Sequence, residues 1–229
     1  MAKLTWDGIG EKEFEVGVSQ GVLFMLNETK SKSEDAAVKA KAWEGKAWNG
    51  LTNVTESPEG GDPEEFYADN TLYAVLRGNE TFGGSIEAFT YPPEFEACIG
   101  HETLGDGVYI GQQNRKAFGL AYRSEIGNDT NPNSGYKLHL VYNCTANASE
   151  MSHDTVEDSP SLEPLSFDFN STPTPVTGHK PTSSVTIDSR KVDSAVLKKI
   201  EDAIYGTADT DSYLPLPAEL ITMLTPTTP

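Results

Sequence analysis

Between Glu163 and Gly206 the chain lays down a strand, a second strand and a capped amphipathic helix in direct succession, and that order restricts the fold more than any other stretch. Leu165, Phe167 and Phe169 alternate with Ser166, Asp168 and Asn170, the two-residue period of a half-buried strand. Pro173 and Pro175 lack the N–H that a central ladder needs, so this strand ends there or continues along an exposed edge. Past Gly178 and Pro181, Val185 and Ile187 alternate with Thr186 and Asp188 and predict a second strand. From Val192, apolar residues fall at Val196, Ile200 and Ile204, and Ala195, Leu197 and Ala203 widen the stripe into one buried helical face. Asp193 is placed to cap its N-terminus, and Gly206 suits the left-handed residue that ends it. A helix with one apolar stripe needs a sheet to lie on, and the rest of the chain must supply that sheet.

Taken in order, the remaining segments read mostly as short strands. Phe14, Val16 and Val18, then Val22, Phe24 and Leu26, predict two opening strands around a tight turn at Gly21. Asn27 to Asp35 is polar and reads as a loop. Val38, Ala40 and Ala42 alternate with Lys39 and Lys41 and predict a strand running to Trp43. The segment Asn49 to Asp69 passes through Ser57-Pro-Glu-Gly-Gly-Asp-Pro-Glu-Glu65 with little to bury, and a long loop of that kind in a compact domain is disordered or functional. Leu72 to Leu76 and Ser85 to Thr90 are strands. Pro92 and Pro93 open a brief helical turn. Val108 with Ile110, Ala117 to Arg123 and Lys137 to Cys144 supply three more strands. In the last of these Leu138, Leu140 and Tyr142 face away from His139, Val141 and Asn143, and apolar groups on both faces predict a central position. Asn147 to Pro164 is an acidic connector, Thr207 to Ser212 a polar turn, and Leu214 to Ile221 ends in a short helix before a Thr/Pro tail. The sum is a mainly β chain of about ten short strands, an antiparallel β-sandwich or barrel with one flanking α-helix, in a single domain over 1–229.

Charge and composition exclude several classes. The 229 residues carry 35 acidic and 17 basic side chains, a net charge of -18, and no polybasic run, which argues against ordinary binding to a phosphate backbone. Hydrophobic residues make up 37%, sufficient for a real core. No stretch has the length of a membrane span, and Met1 to Gly10 lacks the apolar core of a signal peptide, so a cytoplasmic setting is expected. Cys98 and Cys144 are then free core thiols. The seven Asn-X-Ser/Thr triplets, at Asn27, Asn53, Asn79, Asn128, Asn143, Asn147 and Asn170, read as turn and strand residues.

Catalytic and metal patterns are weak. None of His101, His139, His153 and His179 has a second His or Cys at ligand spacing, and His139 reads as a structural strand residue. No serine sits in a Gly-X-Ser-X-Gly elbow. Carboxylate pairs such as Glu64 with Glu65 and Asp209 with Asp211 are of the kind that serves a glycosidase or binds calcium, with a geometry that sequence does not give, but Asp209-Thr-Asp211 lacks the other ligands and the glycine of a calcium loop and reads as a solvated turn. Gly60-Gly61 and Gly83-Gly84 lack the Lys and Ser/Thr of a phosphate cradle. Trp43, Trp48, Tyr67, Tyr73, Phe82, Phe89 and Tyr91 sit mostly at alternating positions and read as core rather than as a sugar platform. No enzymatic activity and no cofactor are expected.

Several phrases, in order and spacing, resemble the major tail proteins that form the tail tube of long, non-contractile-tailed bacteriophages. They are Ala47 to Pro58, Tyr67-Ala-Asp-Asn70, Phe82 to Pro92, Gly135 to Tyr142, Phe167 to Val176, Ile187-Asp-Ser-Arg190, the helix to Tyr205-Gly-Thr207, and Leu214-Pro-Leu-Pro217. Asn27 to Asp35 and Ser152 to Pro160 match no such phrase. The resemblance implies a β-sandwich with a flanking helix that assembles into hexameric rings. Those rings stack into a virion tail tube, put together in the host cytoplasm with tape-measure, tail-tip and tail-terminator proteins. DNA would cross the lumen without specific binding, and no membrane is involved. Such stacking needs a linking arm, and the loop 49–69, through Asn49, Asn53, Glu56, Pro58, Glu59, Asp62, Glu64 and Glu65, is the expected one, with the termini as further arms. Val192, Val196, Ile200 and Ile204 would form the helix face on the sheet. The rival readings from the residues alone are a secreted or surface β-sandwich carbohydrate-binding module and, on composition only, a carboxylate-dependent glycoside hydrolase.

Overall fold

The computed structural model describes residues 4, 6–78, 80–152, 155 and 162–224. His153, Asn79, most of Ser152 to Pro160 and the final Thr/Pro residues from the sequence reading lie outside them. Among the described residues no helix is long and apolar enough to cross a membrane.

The chain opens with a long strand, β1 (Glu13–Leu26), where the sequence predicts two strands and a turn. Gly17 and Gln20 take positive φ, 75° and 52°, and each is absorbed as a bulge. Val16, Ser19 and Val22 oppose Glu125, Arg123 and Ala121, three steps against two each time. The expected loop after it contains a single helical turn, α1 (Glu28–Ser31), capped by Asn27. The strand expected from Val38 is instead a short helix, α2 (Ala36–Ala40). Asp35 accepts from the Ala37 N–H at 2.8 Å, and such a cap before alanines of high helix propensity outweighs a brief alternation.

Next come β2 (Trp43–Trp48) and β3 (Leu51–Glu59). The expected long loop at 49–69 is therefore ordered backbone. Its first half is β3 and its second half is β4 (Glu64–Ala68), which pairs with β5 (Thr71–Leu76) in a separate hairpin. After β6 (Thr81–Ala88) a 3-10 turn, Pro93–Ala97, starts on proline as its sequence predicts, and a second small hairpin follows, β7 (Glu102–Gly105) with β8 (Val108–Ile110). The long strands β9 (Phe118–Asn128) and β10 (Gly135–Ala146) precede β11 (Leu165–Ser171) and β12 (Ser184–Asp188). Two helices close the chain, α3 (Ser194–Tyr205) and α4 (Pro217–Leu224).

Every ladder is antiparallel, and the main sheet runs β2-β1-β9-β10-β11-β6-β3, with β12 also on β10. The sheet divides at Asn143, whose φ of 47° marks a bulge: the residues before it pair with β12, those after it with β11. The β11-β6-β3 part thereby folds over the β1-β9-β10 part. Leu23, Leu120 and Val141 meet Ile86, Phe167 and Phe169 between these layers, and Phe95 and Cys98 join the same core. Phe95 stacks edge-on against Phe118 and Phe167 at 5.3 and 5.1 Å.

The opposite face of β1, β9 and β10 is buried as well. Val22, Phe24, Ala121, Leu138, Leu140 and Tyr142 pack against Leu197, Ile200 and Ile204 of α3 and Leu220 of α4. The central position expected for β10 follows from this two-sided burial. Asp193 accepts from the Ala195 and Val196 N–H groups, and Gly206 has φ 75°. Ile200 and Ile204 are fully buried, while Val192 and Val196 sit partly covered at the rim.

Candidate functional site

Five successive antiparallel pairings lead from β1 to β3, so β3 runs opposite to β1 and ends near where β1 begins. The β4–β5 hairpin therefore leaves the sheet at one end, and α1 and α2 cap the other. Gly61 and Gly78 approach closely at its base, where a Cβ on Gly61 would stand 3.3 Å from the Gly78 Cα. Beyond that base Phe66, Tyr67, Leu72, Tyr73, Val75 and Leu76 are all exposed, Tyr73 by 79%. Such a two-stranded ribbon with apolar groups in water is marginal on its own. Acidic Glu64 and Glu65 flank those groups, and Glu65 accepts from the Tyr67 hydroxyl at 2.5 Å. The β7–β8 hairpin likewise exposes Leu104, Val108 and Tyr109, and near the N-terminus Trp6 is 77% exposed.

The sheet edges differ. The outer edge of β2 is covered by the chain before α4, since the Gly45 N–H donates to the Ser212 carbonyl and the Leu214 N–H to the Trp43 carbonyl, both at 3.0 Å. The outer edge of β3 has no ladder partner among the described strands. Asn53, Pro58 and Glu59 lie exposed along it, and a proline there is a usual guard on an open edge.

The eight residues expected to form one arm are distributed differently. Asn49 sits at the β2–β3 corner, far from the hairpin. Glu56 is turned toward Tyr122, whose hydroxyl donates to it at 2.8 Å. Asp62 lies in the link to the hairpin, and Glu64 and Glu65 are on it. Of the aromatic residues read as core, Trp48 is buried and Tyr91 packs on the core, but Tyr67, Tyr73 and Phe89 are exposed.

A polar cluster that sequence reasoning missed occupies the seam between β1 and β3, two strands that lie side by side without a ladder. The Ser124 hydroxyl donates to Glu15 Oε1 at 2.6 Å and lies 2.9 Å from His139 Nε2. Lys137 Nζ donates to the other Glu15 oxygen. His139 stacks flat on Tyr122, centroids 4.5 Å apart, and its Nδ1 stands 3.7 Å from Glu56 Oε1. A cavity of about 390 Å³ opens beside them, lined also by Gly17, Val18, Thr52 and Val54. Burial raises the Glu15 carboxyl, but the hydrogen bonds from Lys137 and Ser124 outweigh it and hold it below its ordinary value. Burial, then the Glu56 charge, push the Tyr122 phenol up, so it remains a donor.

Ser124, His139 and Glu56 have the outline of a nucleophile, base and orienting acid, yet the proton directions oppose that role. The only hydroxyl hydrogen of Ser124 goes to Glu15, so Nε2 of His139 is the donor to Ser124 and is not a base toward it. No local motif announces this cluster, because Glu15 lies 109 residues from Ser124 and 122 from Lys137.

Cys98 and Cys144 are buried and free. Among the described residues no group of three or more His, Cys, Asp or Glu side chains is arranged to hold a metal ion. No protein-family model and no curated protein matches the chain.

Proposed function

We propose that this chain is a structural, self-assembling subunit whose copies form rings stacked into a tube, as in the tail tube of a long-tailed phage. The observation that carries the reading is the β4–β5 hairpin: apolar on exposed faces, separate from the main sheet, and projecting from the end opposite α1 and α2. A head-to-tail stack brings the hairpin end of one copy to the capped end of the next and gives those side chains a surface to cover. The unpaired β3 edge supports lateral association in the same way, since closing a ring removes open edges. Exposed Trp6 and Ile9 suit an N-terminal segment that orders on assembly. The hexameric ring, the passage of DNA and the tape-measure, tail-tip and tail-terminator partners follow from the sequence resemblance. A net charge of -18, repeated around a ring, suits a wall along which phosphates slide without adhering. The role requires no turnover.

Negative-stain electron microscopy of the purified chain at rising concentration, paired with light scattering, tests the reading. Rings or tubes with a central hole are the expected outcome. A strict monomer at every concentration that also binds glycans saturably would put the carbohydrate-binding module in its place.

A further inference from the structure

The two ends of the sheet differ in charge as well as in shape. Residues 59–80, the β4–β5 hairpin with its links, carry six carboxylates, Glu59, Asp62, Glu64, Glu65, Asp69 and Glu80, against Arg77 alone. Residues 28–46, which include α1 and α2, carry five lysines against Glu28, Glu34, Asp35 and Glu44. In a chain of net charge -18 that is a local excess of cations. Arg115 and Lys116, both exposed, enter at the same end, because Phe118 just after them pairs with Met25 near the end of β1.

Ion pairs within the cap separate its lysines into two groups. Lys30 reaches Glu44 at 2.7 Å, Lys32 reaches Glu28 at 3.4 Å and Lys46 reaches Glu94 at 3.2 Å. At the start of α2, Asp35 accepts from the Ala37 N–H, and Glu34 is exposed. At its other end Lys39 and Lys41 are exposed and have no carboxylate partner among the described residues, Lys41 lying 5.3 Å over the Tyr213 ring. Ala36, Ala37 and Val38 are exposed beside them. None of the five residues of α2 is buried, and so short a helix is marginal in water without something packed on it.

The hairpin at the opposite end has the complementary deficit. Glu64 pairs with Leu76 and Phe66 with Ala74, so these four share one face, and Glu65 pairs with Val75 on the other. Each face thus sets a carboxylate beside an exposed apolar side chain, where α2 sets Lys39 and Lys41 beside Val38. The two surfaces lie at opposite ends of one chain, so they meet only between copies.

We propose that α2 is the receptor for the β4–β5 hairpin of a second copy: Lys39 and Lys41 take the carboxylates of Glu64 and Glu65, and Ala36, Ala37 and Val38 cover the apolar side chains beside them. This rests on the stacked-subunit reading above and names the surface its arm meets. Two hairpin ends repel each other, whereas a hairpin end and a capped end attract, so the association has a direction. The charges involved are exposed, and salt screens them.

The test treats an equal mixture of light and heavy isotope-labelled chain with a water-soluble carbodiimide. The reagent condenses a carboxylate with an amine in contact with it, and mass spectrometry of mixed-isotope peptides assigns each new amide to two copies. Bonds from Lys39 or Lys41 to Glu64 or Glu65 are expected, with a yield that falls as sodium chloride is added. Lys39→Glu with Lys41→Glu is expected to weaken association at least about tenfold in sedimentation. The melting temperature should hold, since both side chains are exposed. Adding Glu64→Lys and Glu65→Lys to the same chain makes the two surfaces opposite in sign again and is expected to restore association. Tubes whose hairpin carboxylates condense only with amines elsewhere overturn the receptor and leave the tube standing. Bonds at Lys39 or Lys41 without rings or tubes uphold the receptor and remove the tube. No bond between copies at any concentration, or association indifferent to the charge reversal, overturns the proposal. Should the reversed variants not fold, the wild-type map of bonds decides by itself.

Discussion

Ile200 shows what one side chain contributes here. It is wholly buried beneath α3, among Leu138, Leu140 and Ile204. Ile200→Asp places a carboxylate there with no cation to meet it, and a loss of about 3–5 kcal/mol is expected. Urea unfolding followed by circular dichroism measures it, and an unchanged midpoint would refute the burial. At this scale the sequence was legible wherever the chemistry is local. Asp193 and Gly206 end α3 as their residue types require, and Asn27, Asn128 and Asn143 serve as a cap, a turn and a bulge. The seam cluster was not legible, because Glu15, Ser124 and His139 become neighbours only through strand pairing. His139 was correctly placed on a strand, but nothing in its local sequence distinguishes a buried donor between two carboxylates from a packing residue.

Among elements, long alternation was informative and short alternation was not. Leu165 to Asn170 and Lys137 to Tyr142 hold their period for six residues and are strands with the expected faces. Val38 to Ala42 also alternates, but a stretch that short fits a helical turn equally well, and the Asp35 cap decides the outcome. Segment 49–69 misled in the other direction. Its proline, glycines and charges mark an open edge and a projecting hairpin, features that read as a loop when the partner strands are not known. The hairpin offers a direct prediction. Because Gly61 and Gly78 already approach each other, removing residues 62–77 and joining the two glycines should leave the β3–β6 ladder and the melting temperature nearly unchanged. The same excision should abolish stacking while leaving lateral association intact, as seen by electron microscopy and sedimentation. Full-length tubes from that variant would show that the hairpin is not the arm.

At the level of the whole molecule, the helix-on-sheet order read from Glu163 to Gly206 proved the most informative part of the sequence, since it demanded a sheet with a covered outer face. What it left open was the second layer. The fold-over at Asn143 depends on one residue in a positive-φ conformation, and an Asn-X-Thr triplet in a strand does not distinguish a bulge from an ordinary pair. That second layer seals the two thiols. Cys98 and Cys144 share one core with Phe95, Phe118 and Phe169; burial pushes the Cys98 thiol up to about 12 and raises that of Cys144 as well. Neither reacts until the layers part, because the thiolate is the nucleophile. The chain thus carries its own clock: the rate at which a thiol reagent modifies it under native conditions reports how often the core opens. Equal rates at both sites, read by mass spectrometry, are expected if the two layers separate as one unit. A faster Cys98 would instead time the lifting of the Pro93–Ala97 turn from an otherwise intact core.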